Sequence, residues 1–236
     1  MVKKRNNNKK GNKDLNLFQR IYIDLFSKQF NLKFKNISEL YKEEMDTYYK
    51  LKYLFKGNKL NNNNLIVYNP GGGHDITTIL LVLDAIAKKN VNINIIYQEI
   101  RNHFNEILFE LKRITKSPII IEKKNNNKKY TKYIATAYYK NKRITITYYI
   151  SSIENIIPKE IKEGYDIYYE RAFQFFRSNN GEYLYNVSKF LKPNGLMISD
   201  YGFDFNKFQK KEFKKLKKIP KDYGMYKKFQ IWQKVK

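Results

Sequence analysis

The chain has no cysteine among its 236 residues, and it is poor in proline, glycine and histidine, with 5, 10 and 2 copies. Without cysteine there is neither a disulfide framework nor a thiolate metal site, which fits a reducing compartment. No apolar run approaches the roughly 20 residues that a membrane-spanning helix needs. The basic start of the chain is not followed by the apolar segment of a secretory signal. These absences predict a soluble intracellular protein, most simply a cytoplasmic one, with no membrane partner and no metal.

Acidic residues are also scarce, since 22 Asp and Glu stand against 47 Lys and Arg and give a formal net charge of +25. A field of this size attracts polyanions, and nucleic acid is the first candidate, RNA more than DNA. An AT-rich coding sequence would also enrich Lys, Asn, Ile, Tyr and Phe, so composition bias remains an alternative. An anionic membrane surface or an acidic protein would be attracted in the same way.

The pattern of apolar residues divides the chain into three parts. Residues 1–14 are too polar to bury anything and predict a disordered basic tail. Residues 15–58 have apolar side chains at helical spacing in two stretches, the second from Asn36 to Gly57, and predict an N-terminal helical extension. Residues 59–236 predict one α/β domain, and the hydrophobic content of 42% is enough for its core.

From Leu65 onward, short apolar runs alternate with helical patterns. Strands are predicted at 65–68, 91–99 and 118–122, with helices at 76–89 and 102–114 between them, an order that favours right-handed crossovers and a parallel sheet. An antiparallel hairpin is predicted at 133–150. The remaining predicted elements are a strand at 164–170, a helix at 181–191, a turn at 192–195, a strand at 196–203, a basic helix at 206–217 and a strand at 226–235.

Three of the glycines lie together in LIVYNPGGGHD, residues 65–75. A loop that leaves a strand and enters a helix presents backbone N–H groups at the positive end of that helix, and glycine lets the backbone approach a ligand. The loop lacks the Gly-Lys-Ser/Thr ending of a P-loop, and Ile76 stands where a dinucleotide fingerprint has its third glycine. Glu99, at the end of the second strand, could accept both hydroxyls of an adenosine ribose. Loop and acid together predict a nucleoside site, although a bare tight turn could also use such glycines.

The order of strand, glycine loop, helix, strand and acid continues with YDIYYERAFQFF (165–176) and VSKFLKPNGLMISDYGF (187–203). This order resembles the class I S-adenosylmethionine-dependent methyltransferases. FLKPNGLMIS is similar to the family's L-x-P-G-G-x-L turn into its fifth strand, YDIYYERAF resembles its fourth strand, and YKKFQIWQKV its last. The resemblance implies a Rossmann-like, mostly parallel seven-stranded sheet with an antiparallel last strand, here preceded by two N-terminal helices. It also implies S-adenosyl-L-methionine as the cofactor.

The resemblance implies a set of cofactor-binding residues in the loop and the second strand: Asn69, Gly71, Gly72, Gly73, Asp75 and Glu99. Gly71 and Gly73 would line the methionine part, and Glu99 would hold the ribose. Two residues depart from the family pattern, because Asn69 stands where an acid is usual and Asp75 where a third glycine is common. His74 would reach the cofactor carboxylate.

Methyl transfer from a sulfonium is an in-line displacement, so catalysis consists largely of positioning the acceptor, with a base where the acceptor is a hydroxyl or an amine. Glu170 and Arg171 end the predicted fourth strand. We predict Glu170 as a base or acceptor-positioning group and Arg171 as an anion contact, with Asp200, after the fifth strand, as a secondary candidate. An ion pair between Glu170 and Arg171 at the sheet edge is the structural alternative.

The sequence therefore predicts an S-adenosylmethionine-dependent methyltransferase that acts on RNA or another nucleic acid. YDIYYERAFQFF and LKPNG also resemble the chemotaxis-receptor methyltransferases, which would make the protein a protein methyltransferase. A catalytically inactive nucleic-acid-binding module on the same fold is the third possibility. Paired tyrosines occur at 48–49, 138–139 and 148–149. In each pair we expect one ring in the core and the other in solvent, where it could stack on bases.

Overall fold

The computed structural model describes residues 48–57, 59–60, 62–115, 117–127, 130–153, 157–170, 181–199, 201–203, 209–216 and 229–235. Their elements are, in chain order, β1 (Asn64–Pro70), α1 (Ile76–Ile86), β2 (Asn92–Glu99), α2 (Phe104–Thr115), β3 (Ile120–Asn127), β4 (Tyr130–Tyr139), β5 (Lys142–Ile150), α3 (Lys159–Lys162), β6 (Tyr165–Glu170), α4 (Gly181–Ser188), β7 (Leu191–Ser199), α5 (Gln209–Glu212), β8 (Phe213–Lys215) and β9 (Gln230–Lys234). Residues 48–54 are also helical. The predicted tail, the first N-terminal helix, Arg171 and Asp200 lie outside the described residues.

The strands form one mixed sheet in the order β3-β4-β5-β2-β1-β6-β7-β9-β8. Within the described part of the chain, seven strands run in one direction, and β4 and β9 run in the other. The predicted mostly parallel sheet with an antiparallel last strand is therefore confirmed, but the predicted number of seven strands is wrong, because the described residues alone form nine. The chain passes from β1 to β2 on one side and later returns to β6 on the other. The order of strands thus reverses at β1.

The predicted third parallel strand is placed differently from the expectation. The strand parallel to β2 is β5, whereas β3, which contains most of 118–122, pairs antiparallel with β4 at the sheet edge. An inner parallel strand must be buried on both faces, and Ile120 and Ile121 of β3 are 62% and 54% exposed. The predicted hairpin of β4 and β5 is confirmed. Its turn residues Lys140 and Asn141 have φ of 46° and 63°, as a type I′ turn requires.

The C-terminal elements also differ in part from the prediction. The turn predicted at 192–195 lies inside β7, where the pairing with β6 jumps from Tyr165–Leu191 to Ile167–Leu196 and Asn194 has a φ of 63°. The strand therefore contains a local irregularity in its pairing. The residues of such an irregularity resemble those of a turn, so the sequence alone does not tell it apart from a reversal of the chain. In the region of the predicted basic helix, only Gln209–Glu212 is helical among the described residues, and β8 follows because it pairs with β9.

Each face of the sheet has its own apolar core, since successive side chains of a strand point to opposite faces. The first face is packed by α1, α2 and segment 48–54, with Leu51, Ile79 and Ile107 in its core. The second face is packed by α3 and α4 against β1, β6 and β7, with Ile161 and Val187 in its core. Gly57 follows the helical segment 48–54, close to the predicted helix end.

A buried acid fastens the two central strands at their amino ends. Asp166 of β6 accepts hydrogen bonds from the Ile66 backbone N–H at 2.9 Å, from Asn62 Nδ2 at 2.7 Å and from Lys192 Nζ at 3.2 Å. These hydrogen bonds hold β6 beside β1 at the end of the sheet opposite the carboxyl ends of the two strands. Among the described residues, no helix has the length and apolar character needed to cross a membrane, and no three His, Asp or Glu side chains are grouped so as to hold a metal ion.

Candidate functional site

The predicted site residues come from separate segments and meet where the order of strands reverses. Asn69 of β1 pairs with Tyr97 of β2, so Glu99 ends β2 at the level of the glycine loop. On the other side of β1, the pairing of Tyr68 with Tyr168 brings Glu170 to the same edge. In open α/β sheets, ligands bind outside the carboxyl ends of the strands at such a reversal. This edge is therefore the candidate functional site.

The structure explains why all three positions of the loop are glycine. Gly71 and Gly73 have φ of 63° and 60°, a region that side chains disfavour. Gly72 is excluded from carrying a side chain by space, because a Cβ there would lie 2.0 Å from Asn69 Nδ2. The loop is therefore folded tightly over the Asn69 side chain, and the backbone lies where only glycine allows it.

Glu99 holds the loop against the end of β2. The Gly73 backbone N–H donates to Glu99 Oε1 at 2.5 Å, and the Gly71 N–H donates to the Gln98 carbonyl at 3.0 Å. Burial raises the pKa of Glu99 to about 7, although the Gly73 hydrogen bond opposes the rise. The carboxyl group thus changes its charge near neutral pH. A ligand that donates hydrogen bonds to it would favour the ionised form.

Asn69 lies beneath the loop and is almost completely buried, with 1% of its surface exposed. Within the described structure, its Oδ1 atom is buried and accepts no hydrogen bond. The neighbouring Tyr97 hydroxyl donates to the Asp75 carbonyl at 3.2 Å. An unpaired buried acceptor costs about 1–3 kcal/mol and is rare in folded proteins. Asn69 Oδ1 is therefore a point at which a ligand with a hydrogen-bond donor would be stabilised.

Two carboxyl groups fill the N-terminus of α1, which the loop enters. Asp75 is the N-cap residue, and its Oδ1 accepts from the Thr78 N–H at 3.0 Å. Glu110 reaches the same place from α2, and its Oε2 accepts from Thr77 Oγ1 at 3.2 Å. Burial, followed by the nearby charge of Asp75, raises the pKa of Glu110 to about 9. The structure thus gives Asp75 a helix-capping contact, and its predicted contact with a cofactor stays a prediction.

His74 contacts Glu110 without forming an ion pair. His74 Nε2 lies 3.7 Å from Glu110 Oε1, a distance within reach of a salt bridge. Burial lowers the pKa of His74 and raises that of Glu110, so both groups are neutral at pH 7. The His103 ring lies beside His74, with 5.9 Å between the ring centroids. Sequence reasoning missed Glu110, although its position within the buried stripe of Ile107, Leu111 and Ile114 was a signal.

Glu170 is buried at the end of β6, with both carboxylate oxygens engaged. The Tyr168 hydroxyl donates to Oε2 at 2.9 Å, and the Ser199 hydroxyl donates to Oε1 at 2.8 Å. Strand alternation directs Glu170 to the second face, whereas Glu99 follows the first-face residue Tyr97 by two positions. The two predicted acids therefore share the sheet edge but point to opposite faces. The alternative of an ion pair with Arg171 falls outside the described residues.

A second group of polar residues below this edge was not found from the sequence. The Tyr68 hydroxyl donates to Gln98 Oε1 at 2.7 Å and lies 3.1 Å from the Tyr183 hydroxyl. Gln98 Nε2 donates in turn to Ser151 Oγ at 3.0 Å. A glutamine inside the apolar strand NINIIYQE was the available signal, because a buried amide needs partners on neighbouring strands. These bonds fix the ends of β1, β2 and β5 relative to one another.

Sequence comparisons give no relatives, since no known family profile and no curated protein matches the chain. Similar solved structures include the CMeT domain of the citrinin polyketide synthase, with 15% identity over 66% of this chain and 34% of that one, at a TM-score of 0.40. A candidate class I S-adenosylmethionine-dependent methyltransferase of Listeria monocytogenes has 10% identity over 80% and 59%, with a TM-score of 0.45. The plantazolicin methyltransferase BpumL in complex with SAH has 12% identity over 78% and 56%, with a TM-score of 0.38.

The chain thus spans 34% to 59% of the length of these three structures. The TM-scores of all three lie below 0.5. The assignment of the fold rests instead on the order and direction of the strands around β1 and on the antiparallel β9.

Proposed function

We propose that this protein is an S-adenosylmethionine-dependent methyltransferase that acts on RNA or another nucleic acid. The observation that carries the proposal is the glycine loop, which Glu99 holds at the point where the order of strands reverses. The loop leads into the N-terminus of α1, whose first turn already donates hydrogen bonds to two carboxyl groups of the protein. In dinucleotide-binding folds, a pyrophosphate occupies that N-terminus. Here Asp75 and Glu110 accept hydrogen bonds from this first turn, so a phosphate would meet two carboxyl groups. The loop therefore favours a nucleoside whose tail carries no phosphate.

The described residues fit such a cofactor at two points. Glu99 Oε2, to which no described residue donates a hydrogen bond, would accept from a ribose hydroxyl. Asn69 Oδ1, which is buried and accepts no hydrogen bond from the described residues, would accept from a donor such as an ammonium group. When bound, S-adenosylmethionine supplies a methyl group on a positively charged sulfur. The chain contributes the shape of the loop, the acceptors beneath it and the exclusion of a phosphate from α1.

On the acceptor side, we propose Glu170 as a positioning residue or a base, with Arg171 as an anion contact and Asp200 as a secondary candidate. The two hydroxyl groups that hold Glu170 fix the direction of its carboxylate, which suits positioning. The net charge of +25 supports a nucleic acid as the substrate. A catalytically inactive nucleic-acid-binding module is the second candidate. It is favoured by Asn69, which replaces the acid that the resembled family usually has.

Calorimetric titration with S-adenosylmethionine tests the proposal. The wild-type protein should bind it, and Gly73→Asp should lose binding, because it places a charge and a side chain in the backbone that faces the ligand. Gly73→Asn imposes a similar side chain without the charge and separates the two effects. Gly57→Asp is the matched control, since no atom lies within 4 Å of a Cβ at Gly57. Absence of wild-type binding at millimolar cofactor would refute the methyltransferase and leave the inactive module.

The methyl acceptor is tested in a second experiment. Labelled S-adenosylmethionine is incubated with the protein and a cell lysate, with and without prior ribonuclease treatment. Label recovered in RNA and lost after the treatment supports a nucleic-acid substrate. Label recovered in protein, and unchanged by ribonuclease, would refute it in favour of a protein methyltransferase.

A further inference from the structure

A row of exposed side chains crosses the second face of the sheet at the amino ends of β1, β2 and β5. Asn64 of β1 pairs with Asn92 of β2. The pairing of Ile93 with Ile144 places Asn92 beside the residue before Ile144, which is Arg143 of β5. Arg143 pairs with Tyr138 of β4. We call this set the exposed row: Asn64, Asn92, Arg143 and Tyr138.

The direction of the exposed row follows from its chain neighbours. Leu65, Ile93, Ile144 and Tyr139 each adjoin one member of the row, and all four are buried in the core of the first face. Because successive side chains alternate, the row points to the second face. All four members are exposed, and Tyr138 has 57% of its surface in solvent. A tyrosine ring beside an arginine is thus presented on an open part of the sheet.

Positive charge collects at the same end of the sheet. Lys88 and Lys89, in the connection from α1 to β2, are both exposed. Two carboxylates near this end already have lysine partners: Asp84 contacts Lys140 and Lys142, whose Nζ atoms lie 3.2 Å from its two oxygens, and the buried Asp166 contacts Lys192. Among the described residues, neither Lys88, Lys89 nor Arg143 forms an ion pair. These three cations are therefore available to a polyanion.

We propose that the exposed row, together with Lys88 and Lys89, binds single-stranded nucleic acid. An exposed aromatic ring stacks on an unpaired base, and neighbouring cations contact phosphates. Asn92 Nδ2 donates to Asn64 Oδ1 at 2.9 Å, and the remaining donor and acceptor positions of these two exposed amides can bond base edges beside the ring. Charge complementarity favours a polyanion, and the tyrosine ring favours one with bases available for stacking over an acidic protein. The proposal deepens the proposed nucleic-acid substrate and rests on it, but not on methyl transfer.

The exposed row lies at the amino ends of the strands, whereas the glycine loop lies at their carboxyl ends. The seven residues that separate Asn92 from Glu99 along β2 correspond to about 23 Å at the rise of a strand. A substrate bound at both places must therefore extend along the protein over several nucleotides. The exposed row would hold one part of the nucleic acid, and methyl transfer would take place on another part of the same molecule.

Fluorescence anisotropy with a labelled single-stranded RNA of about 16 nucleotides, the upper end of common site sizes, tests the proposal without any cofactor. The double variant Tyr138→Ala/Arg143→Ala should weaken binding roughly tenfold, and the slope of log affinity against log salt should fall by about 1. Tyr138→Phe should retain binding, because the ring is kept. The matched control is Phe109→Ala/Arg113→Ala on α2, where a half-buried arginine lies 5.6 Å from the ring centre of an exposed phenylalanine, and this variant should bind as the wild type does.

Three outcomes would overturn the proposal. The first is equal affinity of the row variant and the α2 variant. The second is wild-type binding to duplex RNA as tight as to the single strand and insensitive to Tyr138→Ala. The third is displacement of RNA by polyglutamate from the wild type but not from the row variant, which would indicate an acidic protein as the partner. Failure to bind S-adenosylmethionine would refute the methyltransferase but leave this assay unaffected, so the two failures are distinguishable.

Discussion

Replacing Glu110 by glutamine should make the protein more stable at neutral pH. Glu110 has 1% of its surface exposed, and burial raises the pKa of its carboxyl group to about 9. At pH 7 the folded protein therefore carries Glu110 protonated, whereas the unfolded chain carries it ionised. Glutamine keeps an acceptor for the Thr77 hydroxyl, which bonds Glu110 Oε2 at 3.2 Å, and it ionises in neither state.

The sign and size of the effect follow from proton linkage. Between the ordinary pKa of 4.5 and the raised value of about 9, the folded state binds one more proton than the unfolded state. The free energy of unfolding therefore falls by about 1.4 kcal/mol for each pH unit in this window. The stabilising contribution is complete below pH 4.5 and is lost as the pH rises through 9. From pH 5 to pH 7 the loss is about 3 kcal/mol, and Glu110→Gln should not show it.

Urea denaturation at pH 5 and pH 7, followed by the fluorescence of the single tryptophan, measures the difference. Glu99 titrates in the same window and contributes equally to wild type and variant, so it cancels in their comparison. Glu106→Gln, at an exposed position of the same helix, is the matched control and should follow the wild type. If wild type and Glu110→Gln lose equal stability between the two pH values, Glu110 is ionised in the folded state, and the neutral contact with His74 is refuted.

Two further predictions concern the glycine loop. The affinity for S-adenosylhomocysteine should rise about tenfold from pH 6 to pH 8, because the raised pKa of Glu99 leaves its carboxylate mostly protonated at the lower value. Calorimetry of wild type and Glu99→Gln checks this, and a pH-independent wild-type affinity would contradict it. Gly72→Ala should destabilise the protein by about 1–3 kcal/mol through the clash of its Cβ with Asn69. In an Asn69→Ala background the cost should disappear, whereas additive losses in thermal denaturation would refute the clash.

The sequence predicts well those parts of the fold that depend on local pattern. A local periodicity with turn residues beside it encodes each of these elements: β1, β2, the helix between them, and the hairpin of β4 and β5. The position of Glu99 beside the glycine loop could be predicted, because the pattern itself defines the end of a strand. Its contact with Gly73 then follows from two neighbouring parallel strands.

Features that depend on contacts between segments distant in the sequence could not be predicted. The apolar run at 118–122 suits an inner or an edge strand equally, and only the pairing of β5 with β2 decides between them. Glu110 looks like an ordinary helix residue until α2 is packed against the first turn of α1. Of the three tyrosine pairs, Tyr138–Tyr139 has the predicted arrangement with one ring buried and one exposed, and in Tyr48–Tyr49 the half-buried Tyr48 packs against the core while Tyr49 is exposed. Tyr148 and Tyr149 are both buried, because β5 is covered on both faces at that level.

The hydrogen bond from Gly73 means that the carboxylate of Glu99 is not left without a partner when the site is empty. A ligand hydroxyl arriving at Glu99 meets a group that already has one protein donor, so binding exchanges or extends existing hydrogen bonds and releases less free energy than pairing with a bare group. The same bond lets the loop keep its shape without help from a ligand. Folding of the loop therefore does not require a ligand, and under the proposed function its occupancy would follow the concentration of the cofactor.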